Sequence, residues 1–229
     1  MKAVIPVKNN SLRVPSKNFK EFHDGQSLFD ITASKLVKAL PPEDIYMSCE
    51  DPKQESLAKK WGINFILRDE YLTDNNTPCY DVFNGVCSQV EGDEDIAWCQ
   101  VIDPLFDSYE DCFDTWNNGE EKLIDGAWTR SKIQKSHDSL VVVYPFKKYT
   151  LNENYEPQGF GFGNWHKKSQ ILPRKYELTF TLSILTRECI NNIGYYVGKT
   201  PYWYHADNQH VDIDTDQDFK LAQIMYSSF

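Results

Sequence analysis

The chain has 229 residues, 41% hydrophobic and 14% aromatic, enough to bury one sizeable core and too apolar for a disordered chain. Its formal charge of −10 argues against a long nucleic-acid or anionic-membrane surface, which needs a basic face, yet leaves room for a nucleotide gripped by a few converging cations. No apolar run approaches the roughly 18 residues that span a bilayer, and six cysteines without a CxxC pair, behind an opening strand rather than a leader, predict free and mostly buried thiols in a reducing, cytoplasmic setting.

In chain order, Ala3–Val7 reads as a strand and is followed by a polar loop through Asn18. Leu28–Leu40 places Leu28, Ile31, Leu36, Val37 and Leu40 at helical spacing, and Pro41-Pro42 stops it. Ile45–Met47 is a short strand. Pro52–Trp61 opens on a proline and ends before Gly62, which suits a helix and its C-cap. Ile63–Leu67 reads as a strand, Tyr80–Val90 as a helix, Ile96–Ile102 as a strand and Tyr109–Trp116 as a helix. This repeated strand-then-helix order predicts an α/β fold, a three-layer Rossmann-like arrangement with a mostly parallel sheet and helices on both faces.

The order then changes. Ser139–Pro145 is a β-branched strand, residues 146–177 form an aromatic, Gly- and Asn-rich insert without clear period, Leu178–Leu185 returns to strand character, and Asp216–Met225 is the last helix. Neither a repeat nor a low-complexity linker divides the chain, so residues 1–229 read as one domain whose insert serves as a flap or an oligomer contact. Trp98, Tyr195-Tyr-Val and Tyr202-Trp-Tyr204 read as sheet and core residues.

Chemistry concentrates in three places. The loop after the first strand, Lys8-Asn-Asn-Ser-Leu-Arg-Val-Pro-Ser-Lys-Asn18, leaves the carboxyl end of a strand, where open α/β sheets bind ligands. Lys8, Arg13 and Lys17 supply three cations within ten residues, with Ser11, Ser16 and Asn18 as polar partners. That set suits a triphosphate whose leaving pyrophosphate gains charge, and a solvated basic loop is the alternative. In the second place, Asp212 and Asp214 flank Ile213 on an expected strand, so both carboxylates share one face and form a hard-oxygen pair suited to Mg²⁺. An acidic strand end leading into a helix capped at Thr215 or Asp216 is the plainer reading. His205, Asp207 and His210 lie close in sequence but match no zinc spacing. In the third, Asp103 ends the fourth strand, where it either completes the metal site or starts a turn with Pro104.

These residues resemble the acylneuraminate (CMP-sialic acid) cytidylyltransferases and the relatives that make CMP-Kdo. The opening motif I-P-A-R-G-G-S-K-G-x-P-x-K-N is matched at Ile5, Pro6, Lys8, Ser11, Pro15, Lys17 and Asn18, and the Kdo relatives' S-S-R-x-P-G-K is echoed by Ser11–Lys17. Ile45–Ser48, Ala58–Gly62, Leu67-Arg68 with Asp74 and Thr77, and Gln100–Leu105 follow in the family's order, and Val211-Asp-Ile-Asp-Thr-Asp-Gln-Asp218 resembles its I-D-I-D-T-x-x-D ending. The resemblance covers about residues 1–120 and 203–225 and implies a nucleotide-diphospho-sugar transferase type of fold. It implies that the chain joins CMP from CTP to a sugar acid, sialic-acid-like or Kdo-like. Nucleotide binding would fall to Lys8, Asn10, Ser11, Arg13, Lys17, Asn18, Arg68 and Gln100, with Lys17, Asp212 and Asp214 catalytic. Mg²⁺ would be held by Asp212, Asp214 and, displaced by one residue from the relatives' position, Asp103. A homodimer built through the insert, itself expected to be β-rich, is also implied.

The chain departs from the family where Asn9-Asn10 replaces a glycine pair, Lys8 an arginine and Phe106 the arginine of S-P-L-R, and no R-P-N-G element is recognisable. Two rival functions stay open on the sequence: a metal-dependent glycosyltransferase using Asp212 and Asp214, and a catalytically inactive nucleotide-binding protein.

Overall fold

Ala3, Val4 and Ile5 are wholly buried, so the first strand is covered on both faces, as the central strand of a helix–sheet–helix sandwich must be. The computed structural model describes all residues except 10, 12, 125, 126, 164–166, 208 and 229, and side chains except also those of 120–124, 127–129, 131 and 135. In chain order the elements are β1 (Lys2–Pro6), β2 (Glu21–His23), β3 (Gln26–Ser27), α1 (Leu28–Ala39), β4 (Ile45–Cys49), α2 (Glu55–Trp61), β5 (Asn64–Leu67), α3 (Cys79–Cys87), β6 (Ile96–Cys99) and α4 (Tyr109–Asn118). They continue with β7 (Glu120–Ile124), β8 (Ala127–Ser131), β9 (Ser139–Phe146), β10 (Lys175–Glu177), β11 (Leu182–Leu185), α5 (Arg187–Ile193), β12 (Pro201–His205) and α6 (Asp216–Tyr226).

The main sheet runs β10-β9-β11-β6-β1-β4-β5, with β12 beside β9. β6, β1, β4 and β5 are mutually parallel, and β12 is parallel to β9. β11 runs antiparallel to both β6 and β9, and β10 antiparallel to β9. The chain therefore leaves β1 toward β4 and β5, then returns to place β6 on the other side of β1. That reversal opens a crevice at the carboxyl ends of β1 and β6, the place where doubly wound sheets bind ligands.

Side-chain alternation sorts the two helical layers. Ala3, Ile5, Met47, Ala97 and Cys99 pack with α1, α4 and α6, whereas Val4, Tyr46, Ile66, Ile96 and Trp98 pack with α3 and α5. The three-layer expectation holds. Five of the six cysteines are buried and all six are free; Cys79 is the exposed one. No helix of the described residues is long and apolar enough to cross a membrane.

The structure corrects the sequence reading in these places. Residues 212–214 are extended but not a strand: regular pairing ends where His205 meets Val143, and beyond it Ile213 N–H donates singly to the Ile102 carbonyl at 3.0 Å. Leu178–Leu185 pairs only from Leu182 onward. Within the insert the described residues contribute only β10 and an isolated bridge between Leu151 and Pro157, so it is mostly loop rather than β-rich. The β7–β8 hairpin and α5 carry no strong period and were not anticipated.

Helices α1 and α2, on the same face of the sheet, are tied together by Asp30. Ser27 and Asp30 form a reciprocal capping box at the start of α1, and Asp30 also accepts from Lys60 Nζ at 2.8 Å and Trp61 Nε1 at 2.9 Å, locking α1 to α2. Burial opposes the charge, but Lys60, Ser27 and Trp61 outweigh it and lower the Asp30 pKa to about 2. A depressed carboxyl pKa stabilises the fold above its unfolded value, near 3.9, and loses that contribution as pH falls toward 2. Asp30→Ala is expected to cost about 2–3 kcal/mol in urea unfolding at pH 7, and the gap to wild type should narrow from about pH 4 to 2. Equal stability at pH 7 would contradict this role.

Candidate active site

The loop that leaves β1 is held at its base before any ligand arrives. Asn18 Nδ2 donates to the Lys8 carbonyl at 2.9 Å, the Asn18 carbonyl accepts from Phe29 N–H at 3.1 Å, and the Val14 side chain is fully buried beneath. Ser16 turns the chain with φ 53, a left-handed conformation that positions the following lysine. Asn18 thus supports the loop as well as lining the cleft. Asn10, assigned to nucleotide binding by the resemblance, lies outside the described residues.

The cations of this loop converge on one cleft of about 640 Å³, within the roughly 300–1,000 Å³ typical of small-molecule sites. Lys8, Ser11, Arg13, Lys17, Asn18, Arg68 and Gln100 all line it, so the structure gathers every described residue of the sequence-derived nucleotide set. Lys17 Nζ donates to the Ile213 carbonyl at 2.6 Å, and Arg13 pairs with Asp214 at 2.7 Å. Lys8 Nζ reaches across to the Thr73 carbonyl and to Asn75 Oδ1. Arg68 is buried, donates to the Val7 carbonyl and lies 3.8 Å from Glu50. The N-terminal loop and the acidic C-terminal segment therefore meet beside the cleft, through Lys17 and Arg13, although neither Asp212 nor Asp214 is among the residues that line it.

The electrostatics follow from that crowding. Burial, and then the Arg68 charge, lowers the Lys8 pKa; burial lowers those of Lys17 and Arg68, partly offset by neighbouring carboxylates. Asp212 is pushed the opposite way, to about 6, first by burial and then by repulsion from Asp214. An arriving polyanion relieves the first group and a cation the second. Val211 and Ile213 are buried while Asp212 and Asp214 are half-buried, so both carboxylates do share one face although the segment is not a strand.

This pair fits Mg²⁺, which commonly takes one or two carboxylates and completes its shell with phosphate oxygens and water. Among the described residues no group of three or more His, Cys, Asp or Glu side chains is placed to hold a metal. Asp103 is buried against Tyr144, whose hydroxyl donates to it at 2.6 Å, and it also accepts from Leu105 N–H at 3.2 Å. His210 stacks on the Tyr144 ring at 3.8 Å and pairs with Glu177 at 3.2 Å, which removes it from a cluster with His205.

Sequence reasoning missed two parts of the site. Glu50, one residue past β4, accepts from Asn9 N–H at 2.8 Å and faces Arg68, bracing the loop from below; a charged residue at the carboxyl end of a buried strand was the available signal. Trp98 is buried as expected, yet it also lines the cleft with Phe83, on which it stacks at 4.3 Å, and with Tyr196. Trp98 Nε1 and Arg68 Nε have no hydrogen-bond partner among the described residues.

The sequence matches the cytidylyltransferase family across residues 2–143. No curated protein matches it significantly. Among solved structures it is similar to a CMP:2-keto-3-deoxy-manno-octonic acid synthetase complexed with CTP, at 11% identity and TM-score 0.63, over 99% of this chain and 98% of that one. It is similar to 4-diphosphocytidyl-2C-methyl-D-erythritol synthase from Anaerococcus prevotii, at 10% identity and TM-score 0.59, over 99% and 95% of the two chains. A Bacillus anthracis protein assigned as a glucose-1-phosphate thymidylyltransferase aligns over 100% and 96%, at 9% identity and TM-score 0.65. At these identities the likeness is one of fold, and it agrees with the nucleotidyltransferase-like α/β architecture described above.

Inorganic tripolyphosphate, a probe without base or sugar, should raise the thermal midpoint in a concentration-dependent way. Lys17→Ala should weaken that binding by about 10- to 100-fold, the range for losing a charge-assisted hydrogen bond of ~1.5–3 kcal/mol. An unchanged dose response would remove Lys17 from the anion site.

Proposed function

Because the chain belongs to the cytidylyltransferase family, we propose that it transfers CMP from CTP to the hydroxyl of a sugar acid of the sialic-acid or Kdo kind, releasing pyrophosphate, with Mg²⁺ as cofactor. The observation that carries this reading is the convergence of Lys8, Arg13, Lys17 and Arg68 on one cleft, with Lys17 and Arg13 also in contact with the Ile213–Asp214 segment. The sugar-acid class rests on the resemblance of residues 211–218 and of the first loop to enzymes of that type.

In this reaction the acceptor oxygen forms a bond to the α-phosphorus while the bond from that phosphorus to the β-phosphate oxygen breaks. Negative charge grows on the leaving pyrophosphate. Lys17 and Lys8 are suited to hold it because both are drawn partly out of water, where their attraction for an anion is less screened. Arg13, paired at the surface with Asp214, can exchange that partner for phosphate oxygens at small cost, since exposed ion pairs contribute about 0–1 kcal/mol. Asp212 and Asp214 would hold the Mg²⁺. The ion, when bound, neutralises phosphate charge and eases deprotonation of the acceptor hydroxyl.

The aromatic wall suits the base. Phe83, Trp98 and Tyr196 offer faces and edges for a flat heterocycle. Arg68 lines the same cleft, its Nε has no hydrogen-bond partner among the described residues, and its guanidinium is a donor suited to a pyrimidine acceptor oxygen or nitrogen. A homodimer formed through the insert is part of the same proposal. Tyr155 and Phe162 are 79% and 74% exposed, and burying them against a second copy would remove that apolar surface from water.

Purified protein with CTP, Mg²⁺ and a panel of sugar acids should release pyrophosphate and form a CMP-sugar acid with at least one member. Asp214→Asn should lower the rate by about 10²–10³-fold, as for loss of a charge-stabilising group, with an unchanged thermal midpoint. Release of a nucleoside diphosphate from a nucleotide sugar instead would point to glycosyl transfer, and wild-type rates in Asp214→Asn would reject the assignment of the acidic pair.

A further inference from the structure

Residues 69–77, between β5 and α3, form a wall of the cleft with an internal order of their own. Asp69 Oδ1 accepts from Tyr71 N–H at 2.8 Å and Asp74 Oδ1 from Asn76 N–H at 2.7 Å, two local turns closed by short acidic side chains. Thr73 Oγ1 donates to the Glu70 carbonyl at 2.7 Å, and the Thr77 hydroxyl donates to the Tyr71 carbonyl. The segment is docked on α3 at two points: Tyr71 Oη donates to Asp81 at 2.6 Å, and Leu72 lies across Gly85, where an added Cβ would come within 2.6 Å of Leu72 Cδ1. Leu72, Asp74, Asn75 and Thr77 line the cleft.

Lys8 Nζ reaches this wall, donating to the Thr73 carbonyl and, at 3.1 Å, to Asn75 Oδ1. Resting on the proposed phosphate role of Lys8, we infer that Asn75 is a positioning residue, which together with the Thr73 carbonyl holds the Lys8 ammonium at the cleft for the departing phosphates. An ammonium has three N–H donors and no acceptor. The wall takes two of them and leaves the third for a phosphate oxygen. An amide and a backbone carbonyl suit that task, since each accepts a hydrogen bond without adding a negative charge that would repel the polyanion. Lys8 stands where the resembled family carries an arginine, whose planar fork is pre-organised, whereas the four-carbon lysine stem is flexible. The wall supplies the missing order: a side chain fixed before the ligand arrives gives up less freedom on binding.

Calorimetric titration of inorganic tripolyphosphate into the wild type, Asn75→Ala, Lys8→Ala and the double variant completes a thermodynamic cycle. Asn75 is exposed, so its truncation leaves the fold intact, which thermal unfolding without ligand checks. The inference predicts that Asn75→Ala weakens binding by about 2- to 10-fold, the range for ordering one long side chain, and that this loss shrinks by at least twofold once Lys8 is alanine. The coupling is the decisive readout. A change in overall stability, or a direct contact of Asn75 with the ligand, would carry over undiminished into the Lys8→Ala background. A loss differing by less than twofold between the two backgrounds overturns the inference, as does unchanged or tighter binding by Asn75→Ala alone. Wild-type affinity in Lys8→Ala would reject the phosphate role of Lys8 in the proposed function and the inference with it, whereas a Lys8→Ala loss without coupling rejects the inference alone.

Discussion

Lys17 has to remain charged while partly withdrawn from water, and the architecture is arranged around meeting that demand. Its ammonium finds the Ile213 carbonyl at 2.6 Å and the fields of Asp214 and Asp212, while burial pulls its pKa down. One contact thereby joins the first loop of the chain to its last extended segment, 196 residues away in sequence. The strand order makes this meeting possible, because only at the carboxyl ends of β1 and β6, where the winding reverses, do two loops diverge and leave a crevice between them.

The supports around the crevice divide by sign of charge. On the cationic side, Asn18 closes the base of the loop and Glu50 braces it through Asn9 N–H while facing Arg68. On the acidic side, β6 carries the segment holding Asp212 and Asp214. Rigid elements therefore set the positions of both charged groups, and the pairs that join them across the opening, such as Arg13 with Asp214, are exposed and readily exchanged. On the proposed reading, a nucleotide and its metal ion replace those exchangeable pairs without rebuilding the scaffold.

Much of this was legible in the residues. Short buried runs between amphipathic stretches announced the parallel strands β1, β4, β5 and β6, and the cationic loop could be placed at a strand end, so Lys8, Arg13 and Lys17 were expected near one another, while Arg68 and Gln100 joined them through the family resemblance. What stayed hidden depends on long-range partners. The extended run through Asp212 and Asp214 alternates like a strand, and only the lack of a neighbouring strand beyond His205 keeps it from being one. Glu50 follows a buried strand, but the Asn9 amide it serves lies on another element, so its role as a brace is not written in its own neighbourhood. Trp98 read as core because it is core; that its ring also borders the cleft follows from the placement of α3, which periodicity cannot supply.

The central claim is that the cationic loop and the acidic pair grip one nucleotide from opposite sides of a single crevice. A crystal structure of the protein grown with CTP and Mn²⁺ tests it most directly, because anomalous scattering locates the metal without reference to any interpretation. The account predicts a Mn²⁺ peak within about 2.0–2.3 Å of carboxylate oxygens of Asp212 and Asp214, with the triphosphate running beneath Lys8 and Lys17. A nucleotide bound elsewhere, or a metal held by CTP with neither carboxylate in contact, would contradict it.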